Sequence, residues 1–323
     1  MIRICVFGSC NVDLTCLVSQ QPKKGETILG NHLKKSSGGK GGNQAVMAAR
    51  LGAKTSLIGM VGEDIFGDYL KSELSSQNVI ISYILTSKTI PTGIAFITVD
   101  QAGENQIVVC PGANTSLSTK DLDSLSHVIA DSSIFITQLE CDPATALHGL
   151  KVAKNSGVTT IFNPSPVSEH FNLDFFKYSD FVILNETEAA AIIGDGILNI
   201  PSAKSAVIKL RKLGCSNVIL TLGANGALVF ANEPRPQEDL IWHCPGVKVP
   251  CVVDSSGAGD SFIGAFSFFF GSTKKNCHRD RVHSAVDRAN KVAAAVVEKQ
   301  GTQQSFPKKS DLPKDLFRDI ENC

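Results

Sequence analysis

Short apolar runs of strand length alternate with helical patterns along most of this 323-residue chain. The runs are RICVFG, TSLIGMVG, SIFITQL, TTIFN, FVILN, NVILTLG and VKVPCVV, and helical patterns such as NQAVMAARLG and PATALHGLKVAKNSG lie between them. Alternating strands and helices favour a parallel sheet, and strands that are buried on both faces have continuous apolar sequences, as these do. We therefore predict an α/β fold with a doubly wound, mainly parallel central sheet and helices on both faces.

Two segments interrupt this alternation. Residues 14–41 are rich in turn residues and lack a helical period, whereas TGIAFITVDQAGENQIVVCPG has two β-rich runs joined by a glycine-containing turn, which is typical of a hairpin. We predict that the two segments form a small antiparallel sheet that projects from the core as a lid. The core would comprise residues 1–13, 42–91 and 111–323, and the lid residues 14–41 and 92–110.

The charge of the chain is balanced, with 31 basic and 31 acidic side chains. This balance argues against a general affinity for nucleic acid or for an acidic membrane face. The ten cysteines have neither C-x-x-C spacing nor a nearby histidine pair, so we expect buried free thiols in a reducing compartment. No apolar run is long enough to span a bilayer or to serve as a signal sequence, and we expect a cytoplasmic protein, with the nucleus as a second location.

Polar or glycine residues follow five of the predicted strands. In open α/β sheets ligands bind beyond the carboxyl ends of the strands. A single such residue is better explained as a loop residue or a helix cap, but five strand ends together indicate a binding edge. The residues are Asn11 and Asp13, then Glu140, then Asn185, Glu186 and Glu188, then Thr221 with GANG, and finally Asp254 with SSGAGD.

The densest of these stretches is DSSGAGDSFIGAF, residues 254–266. Its glycines allow a close approach of the backbone to a ligand, and the apolar helix that follows begins with free N–H groups, which favour an anion. An aspartate at a helix start is also explained by the helix dipole alone. The glycines, the second carboxylate at Asp254 and the position at a strand end favour chemistry at Asp260.

The glycine-rich stretch SSGGKGGNQ at 36–44 looks at first like a phosphate-binding P-loop. That motif requires Gly-Lys-Ser/Thr after a core strand, whereas Lys40 is followed by Gly41 and Gly42 and preceded by the irregular lid segment. We therefore predict a hinge and close-approach loop that contacts a sugar, with the phosphate site at SSGAGD instead.

The motifs GSCNVD, GGKGGNQ, NETE and GAGDSF resemble those of the ribokinase-like family of carbohydrate kinases. They occur in the family's order, and the similarity extends along essentially the whole chain. GSCNVDL, GGKGGNQAVMAARLGA, NPSP and GTQQSFP are most similar to the family members that phosphorylate ribose. The resemblance implies phosphoryl transfer from ATP to the 5-hydroxyl of D-ribose, with deoxyribose, fructose or adenosine as alternative acceptors.

The resemblance also implies roles for individual residues. Asp260 would be the base that accepts the proton of the sugar hydroxyl, and the backbone amides of Gly257, Ala258 and Gly259 would hold the transferring phosphate. The implied sugar ligands are Asn11, Asp13, Gly39, Lys40, Gly41, Gly42, Asn43, Glu140 and Asp260. The implied ATP contacts are Asn185, Thr221, Gly223, Ala224, Gly226, Gly259 and Asn290.

The family also binds a monovalent cation, normally K⁺, beside the anion site, and Mg²⁺ with the nucleotide. Glu188 would order water on Mg²⁺, unless it is only a solvated residue of a first helical turn. The resemblance further suggests a homodimer through the lids, which would hide their open sheet edges. The implied K⁺ ligands are Asp254, Ser256, where the family usually has Thr, Val296, Lys299, Gly301 and Ser305.

Two other classes of protein are less consistent with the sequence. A Rossmann dehydrogenase requires G-x-G-x-x-G after the first strand, but VFGSCNVDL has a single glycine. A non-catalytic sugar-binding protein on this fold would not need Asp260 with its flanking glycines.

Overall fold

The computed structural model describes residues 1–232, 241–273 and 277–320. Its strands are β1 (Arg3–Phe7), β2 (Asn11–Val18), β3 (Gly30–Gly38), β4 (Lys54–Gly62), β5 (Val79–Ile80), β6 (Ile84–Ser87), β7 (Ile94–Val99), β8 (Asn105–Cys110), β9 (Ile134–Thr137), β10 (Thr159–Phe162), β11 (Phe181–Asn185), β12 (Asn217–Thr221), β13 (Ala227–Phe230) and β14 (Ile241–Cys244). Its helices are α1 (Lys40–Leu51), α2 (Ile65–Ser76), α3 (Thr119–Ser124), α4 (Ser126–Ala130), α5 (Pro143–Asn155), α6 (Asp174–Lys177), α7 (Glu186–Ile193), α8 (Ile200–Lys212), α9 (Ala258–Ser272) and α10 (His278–Val297).

The central sheet has the strand order β14-β13-β12-β11-β10-β9-β1-β4-β5, with β6 beside β4. All neighbours are parallel except at β12–β13 and β13–β14, which are antiparallel. The prediction of a mainly parallel, doubly wound sheet is confirmed. The carboxyl ends of β1, β9, β11 and β12 lie at one edge of this sheet, because these strands run parallel.

Helices cover both faces of the sheet, as predicted, because successive strand residues point to opposite sides. On β1, Ile4 and Val6 belong to one apolar cluster that includes residues of α1, α9 and α10. Cys5 and Phe7 belong to a second cluster that includes residues of α3, α4, α5 and α8. The aromatic residues Phe268, Phe269 and Phe270 are buried near the end of α9.

One predicted strand is wrong. The run VKVPCVV at 247–253 is irregular, and its Val252 and Val253 side chains are more than half exposed (60% and 55%). The neighbouring backbone instead bonds the end of α10, since the amides of Val253 and Asp254 donate to the Val297 carbonyl. This edge of the sheet is instead formed by the hairpin of β13 and β14, which lies beside β12 and which the sequence does not predict.

A separate four-stranded sheet has the order β3-β2-β7-β8. It confirms the predicted small sheet and the predicted β7–β8 hairpin, whose strands are antiparallel. The sheet is mixed rather than wholly antiparallel, because β2 and β7 pair in parallel. We propose that this sheet is a lid, as the sequence predicts, and that β2 and β3 connect it to the core.

Five of the cysteines are buried free thiols, as expected: Cys5, Cys10, Cys141, Cys215 and Cys244. Cys110, Cys251 and Cys277 are exposed and Cys16 is partly exposed, contrary to that expectation, and Cys323 lies outside the described residues. Asn114 is only 2% exposed, and its side chain has the internal role described below. Within residues 1–232, 241–273 and 277–320, no helix has the length and apolar character that crossing a bilayer requires.

Candidate active site

Asp260 lies in the first turn of α9, which points towards the carboxyl edge of the central sheet. The helix starts there because Gly257, its N-cap residue, has the left-handed conformation (φ 77°) that favours glycine. The carboxylate of Asp260 is 9% exposed and accepts one hydrogen bond on each oxygen. The donors are Asn43 Nδ2 and Gln44 Nε2 of α1, both at 2.9 Å. A buried carboxylate held in this way is suited to accept a proton from a ligand hydroxyl.

The amides at the start of α9 form a candidate anion site. Within the part of the chain that the structure describes, the N–H groups of Gly259 and Asp260 have no protein acceptor. Of the predicted donors, Ala258 differs, because its N–H donates to the Ser255 carbonyl at 3.2 Å. A Cβ added at Gly259 would meet no protein atom within 4 Å, so this residue borders open space.

A cavity of about 180 Å³ joins these groups to others that the sequence singled out. It brings predicted sugar, phosphate and nucleotide residues to one place. The residues that line it are Lys40, Asn163, Ile183, Leu184, Asn185, Glu188, Thr221, Gly257, Gly259, Asp260 and Ile263.

Lys40 is the first residue of α1, so the predicted loop at Lys40, Gly41 and Gly42 is in fact a helical turn. The turn follows Gly39, the N-cap, whose φ of 84° ends strand β3 and redirects the chain into the helix. Gly41 packs tightly inside the protein, because a Cβ on it would lie 2.6 Å from the backbone of Gly8, whereas the predicted contact of this turn with a sugar stays a prediction. Only glycine therefore allows α1 to pack directly against the end of β1.

The Lys40 ammonium faces three carboxylates. Burial disfavours its charge, but Asp260, Glu140 and Glu188 outweigh that effect and raise the pKa of Lys40 above its ordinary value. The lysine is therefore a permanent positive charge in the cavity that it lines together with Asp260 and Glu188. It can neutralise negative charge that builds up in the cavity during a reaction.

Glu140 follows β9 and is held by two donors from neighbouring elements. Ser9 Oγ donates to Glu140 Oε2 at 2.5 Å, and the backbone N–H of Lys40 donates to the same oxygen at 3.0 Å. One carboxylate oxygen is thus anchored to the protein, and Oε1 is left to accept from a ligand hydroxyl.

Asn11 is oriented by the buried side chain of Asn114. Asn114 Nδ2 donates to Asn11 Oδ1 at 2.6 Å, and Asn114 Oδ1 accepts from the amide of Cys10 at 2.9 Å. Because the oxygen of Asn11 is occupied, its Nδ2 is the group that remains to donate to a ligand.

Asp13 lies on β2, where its neighbours across the small sheet are Ser36 and Ala95. Burial, and then the negative charge of Glu140, raise the pKa of Asp13 to about 7. The Asp13 and Glu140 carboxylates are therefore close enough to interact, and their role as sugar ligands stays a prediction.

Asn185 and Glu188 cap the start of α7 reciprocally. Asn185 Oδ1 accepts from the amide of Glu188 at 2.8 Å, and Glu188 Oε2 accepts from the amide of Asn185 at 3.0 Å. Asn163 Nδ2 also donates to Glu188 Oε2 at 3.4 Å. Both predicted ligands thus have a structural role that leaves Asn185 Nδ2 and Glu188 Oε1 for a phosphate and for water on a metal ion.

The glycine turn after β12 makes a tight bend between β12 and β13. Gly223 and Gly226 have positive φ angles of 52° and 84°, and Ala224 lies between them. Asn290 of α10 donates to the carbonyls of Cys244 and Pro245 at 3.4 and 3.3 Å. Asn290 thereby holds the segment that packs on Gly226. Of the predicted ATP contacts near this turn, Thr221 is the one that lines the cavity.

The predicted cation ligands come from two segments that the fold brings together. Asp254 accepts from the amide of Ser256 at 2.8 Å and from the amide of Gly301 at 2.8 Å. Burial opposes ionisation of Asp254, but these amide donors outweigh it and lower its pKa. Val296 and Ser305 are fully buried nearby in the chain, and the remaining predicted ligand, Lys299, follows the end of α10.

Sequence reasoning missed several side chains that hold the predicted ones in place. Gln44 is adjacent to Asn43, and its contact with Asp260 spans 216 residues of sequence, so no local pattern reveals it. The strand-end rule could have found Ser9, since it follows β1 directly. The missed residues are Ser9, Gln44, Asn114, Gln138, Asn163 and Gln303.

Comparisons with known proteins show the family of this chain. The pattern of the pfkB family of carbohydrate kinases matches residues 1–309, so the chain belongs to this family. Ribokinase of Mus musculus is 38% identical over 315 residues, which cover 97% of this chain and 94% of that protein. Deoxyribokinase of Salmonella typhi is 34% identical over 304 residues, which cover 94% and 95% of the two chains.

The fold agrees with that of a solved family structure. Arabidopsis thaliana ribokinase, solved with ribose and ATP, superposes with a TM-score of 0.87 at 26% identity and covers 98% of this chain and 99% of its own. The predicted fold class and the predicted family are thereby confirmed.

Proposed function

We propose that this protein transfers the γ-phosphoryl group of ATP to the 5-hydroxyl of D-ribose and releases ribose 5-phosphate and ADP. The observation that carries the proposal is the position of Asp260, buried beside Asn43 and bordering the cavity shared by Lys40, Gly259 and Asn185. The similarity to mouse ribokinase and to the Arabidopsis enzyme supports ribose as the acceptor.

At the sugar end of the cavity, several fixed polar groups would bind the hydroxyls. Glu140 Oε1 would accept a hydrogen bond from a sugar hydroxyl, and Asn11 Nδ2 would donate one. Ionised Asp13 would accept hydrogen bonds from neighbouring hydroxyls. A site of this kind discriminates strongly against analogues that lack a hydroxyl, because a buried polar group is then left unpaired. Lys40, Asn43 and the backbone of Gly39–Gly42 would complete the sugar site.

In the reaction, the sugar hydroxyl gives its proton to Asp260 while its oxygen forms a bond to the γ-phosphorus of ATP. The bond between that phosphorus and the β–γ bridging oxygen breaks, and its electron pair leaves with ADP. Charge on the transferring phosphoryl oxygens is stabilised by the amides of Gly259 and Asp260 and by the Lys40 ammonium. The amide of Ala258 would join them only by releasing the Ser255 carbonyl.

At the nucleotide end, Asn185 Nδ2 would donate to a phosphate and Thr221 would border it. The turn with Gly223, Ala224 and Gly226 would run along the nucleotide, and Asn290 would support its adenine side. Mg²⁺ would neutralise the phosphates, and Glu188 Oε1 would contact the ion through a water molecule. The described residues contain no group of three His, Cys, Asp or Glu side chains that could hold the ion without water and phosphate ligands.

We further propose K⁺ beside the anion site, held by Asp254, Ser256 and Ser305 and by the carbonyls of Val296, Lys299 and Gly301. The fit rests on the carboxylate of Asp254, which is joined to the second segment through Gly301. Turnover that is indifferent to replacing K⁺ by Na⁺ would count against this site.

The acceptor is tested by a coupled ADP-release assay with ribose, deoxyribose, fructose and adenosine, each with and without K⁺. We expect the highest kcat/KM with ribose. The similarity to Salmonella typhi deoxyribokinase makes deoxyribose the second candidate. If kcat/KM is higher for deoxyribose than for ribose, deoxyribose is the substrate instead. Activity with adenosine and with none of the sugars would overturn the assignment of a sugar as the acceptor.

We also propose a homodimer through the small sheet. The outer strand β8 is exposed along its whole length, and Phe96, Ile107 and Val108 are about half exposed or more. An uncovered apolar edge of this kind is suited to pair with a second copy. Light scattering at micromolar concentration should give the dimer mass, and a monomer would reject the proposal. The cytoplasmic location stays a prediction that cell fractionation tests.

A further inference from the structure

Asp260 lies at the centre of a chain of four buried amide side chains. On one side, Gln303 Nε2 donates to Asn43 Oδ1 at 3.0 Å, and Asn43 donates to Asp260. On the other side, Gln138 Nε2 donates to Gln44 Oε1 at 2.6 Å, and Gln44 donates to Asp260. The exposure of these side chains ranges from 0% for Gln44 to 9% for Asp260.

The ionised carboxylate fixes the direction of every hydrogen bond in this chain. A carboxylate can only accept, so Asn43 and Gln44 must both turn their NH₂ groups towards Asp260. Their oxygens then face outward and require donors, which Gln303 and Gln138 supply. Conversely, a donor at Gln138 forces the correct orientation of the Gln44 amide, although Gln138 does not touch Asp260.

Gln138 makes a single side-chain hydrogen bond within the described residues, the one to Gln44. Its Oε1 atom is buried and has no hydrogen-bond partner there. An apolar side chain could fill this position without leaving a buried oxygen unpaired. The hydrogen bond to Gln44 is therefore what a glutamine contributes here and an apolar residue does not.

We propose that Gln44, oriented by Gln138, is a positioning residue that holds the Asp260 carboxylate in the geometry that accepts the sugar proton. Gln303 orients Asn43 in the same way from the opposite side. This inference rests on the proposed function, because it assigns the network to the base of that reaction.

The substitution Gln138→Glu tests the inference with almost no change of shape. It places an acceptor against Gln44 Oε1, so the Gln44 amide turns round to donate to the new carboxylate. Its oxygen then faces Asp260, and the base loses a donor although the altered residue does not touch it. We expect kcat to fall about 10- to 100-fold, as for the misplacement of a reacting group. KM for ribose should stay within about twofold, because the sugar ligands are unchanged, and the acid limb of the kcat–pH profile should move to higher pH.

Two controls separate orientation from packing. Gln138→Met removes the donor without adding an acceptor, so we expect a smaller fall in kcat than for Gln138→Glu. Gln20→Glu adds the same charge at an exposed position after β2 and should leave kcat and the pH profile unchanged. Thermal unfolding of each variant checks the fold.

A wild-type kcat and pH profile for folded Gln138→Glu would overturn the inference, as would equal losses in the Glu and Met variants. If Gln138→Glu does not fold, a wild-type kcat for Gln138→Met overturns it instead. Asp260→Asn tests the underlying function separately, because retained turnover in that variant would refute the base itself, whatever the result at Gln138.

Discussion

Replacing Gly259 by alanine should leave the fold intact and still impair turnover. The added methyl group would meet no protein atom within 4 Å, and Gly259 does not need a positive φ. Alanine is also favoured over glycine in a helix by about 1 kcal/mol, so Tm should rise slightly or stay constant. However, Gly259 borders the cavity and its amide has no acceptor within the described residues, so the methyl group would displace the phosphate from this donor.

Loss of one preorganised donor for developing negative charge costs about 10²–10³ in kcat, or about 3–4 kcal/mol. The assay is steady-state ADP release at saturating ribose and ATP, together with thermal unfolding. Gly257→Ala is the contrasting variant, because its Cβ would lie 2.6 Å from Thr302 and its φ is 77°, so Tm should fall. Gly196→Ala, in an open loop, should change neither quantity. A stable Gly259→Ala enzyme with wild-type kcat would refute the assignment of the α9 N-terminus as the phosphate site.

The other predictions concern the base and the sugar ligands. Asp260→Asn should bind ribose by calorimetry but lose about 10²–10⁴ in kcat, and near-normal turnover would refute the base. Since the pKa of Asp13 is raised to about 7 and the sugar needs its ionised form, ribose affinity should rise with pH up to about 7 and then level off. The free energy of unfolding of the protein without sugar should fall as pH rises from about 4 to about 7, because folding favours the protonated form of Asp13. Asp13→Asn should flatten both pH profiles. Ser9→Ala removes one donor to Glu140, so KM for ribose should rise about tenfold with kcat little changed, and an unchanged KM would contradict the role of Ser9.

The order of strands and helices could be predicted because each buried strand is a continuous apolar run. The same rule failed for VKVPCVV, where the chain has β-branched residues but packs against the end of α10 instead of pairing in the sheet. Strand propensity depends on a partner, and the hairpin of β13 and β14 occupies the sheet edge.

Candidate ligands could be predicted because they follow strands or helix starts, as Asp260, Asn185 and Glu140 do. Their supporting residues could not, since contacts such as Gln303 to Asn43 span 260 residues and leave no local pattern. The glycines in the first turn of α1 predict a loop, since glycine lowers helix propensity, whereas the close contact with Gly8 decides the structure there.

In the proposed reaction, the first turns of α1 would join sugar recognition to the chemistry of the base. Asn43, a proposed sugar ligand, also holds Asp260, and Gln44 holds the other oxygen of the same carboxylate. A substitution at Asn43 that admits a different sugar would therefore also disturb the base, so selectivity and turnover cannot change independently at this position. Asp13 and Glu140 have no hydrogen bond to Asp260 within the described residues, and they are the positions from which evolution or engineering can alter the acceptor and keep a working base.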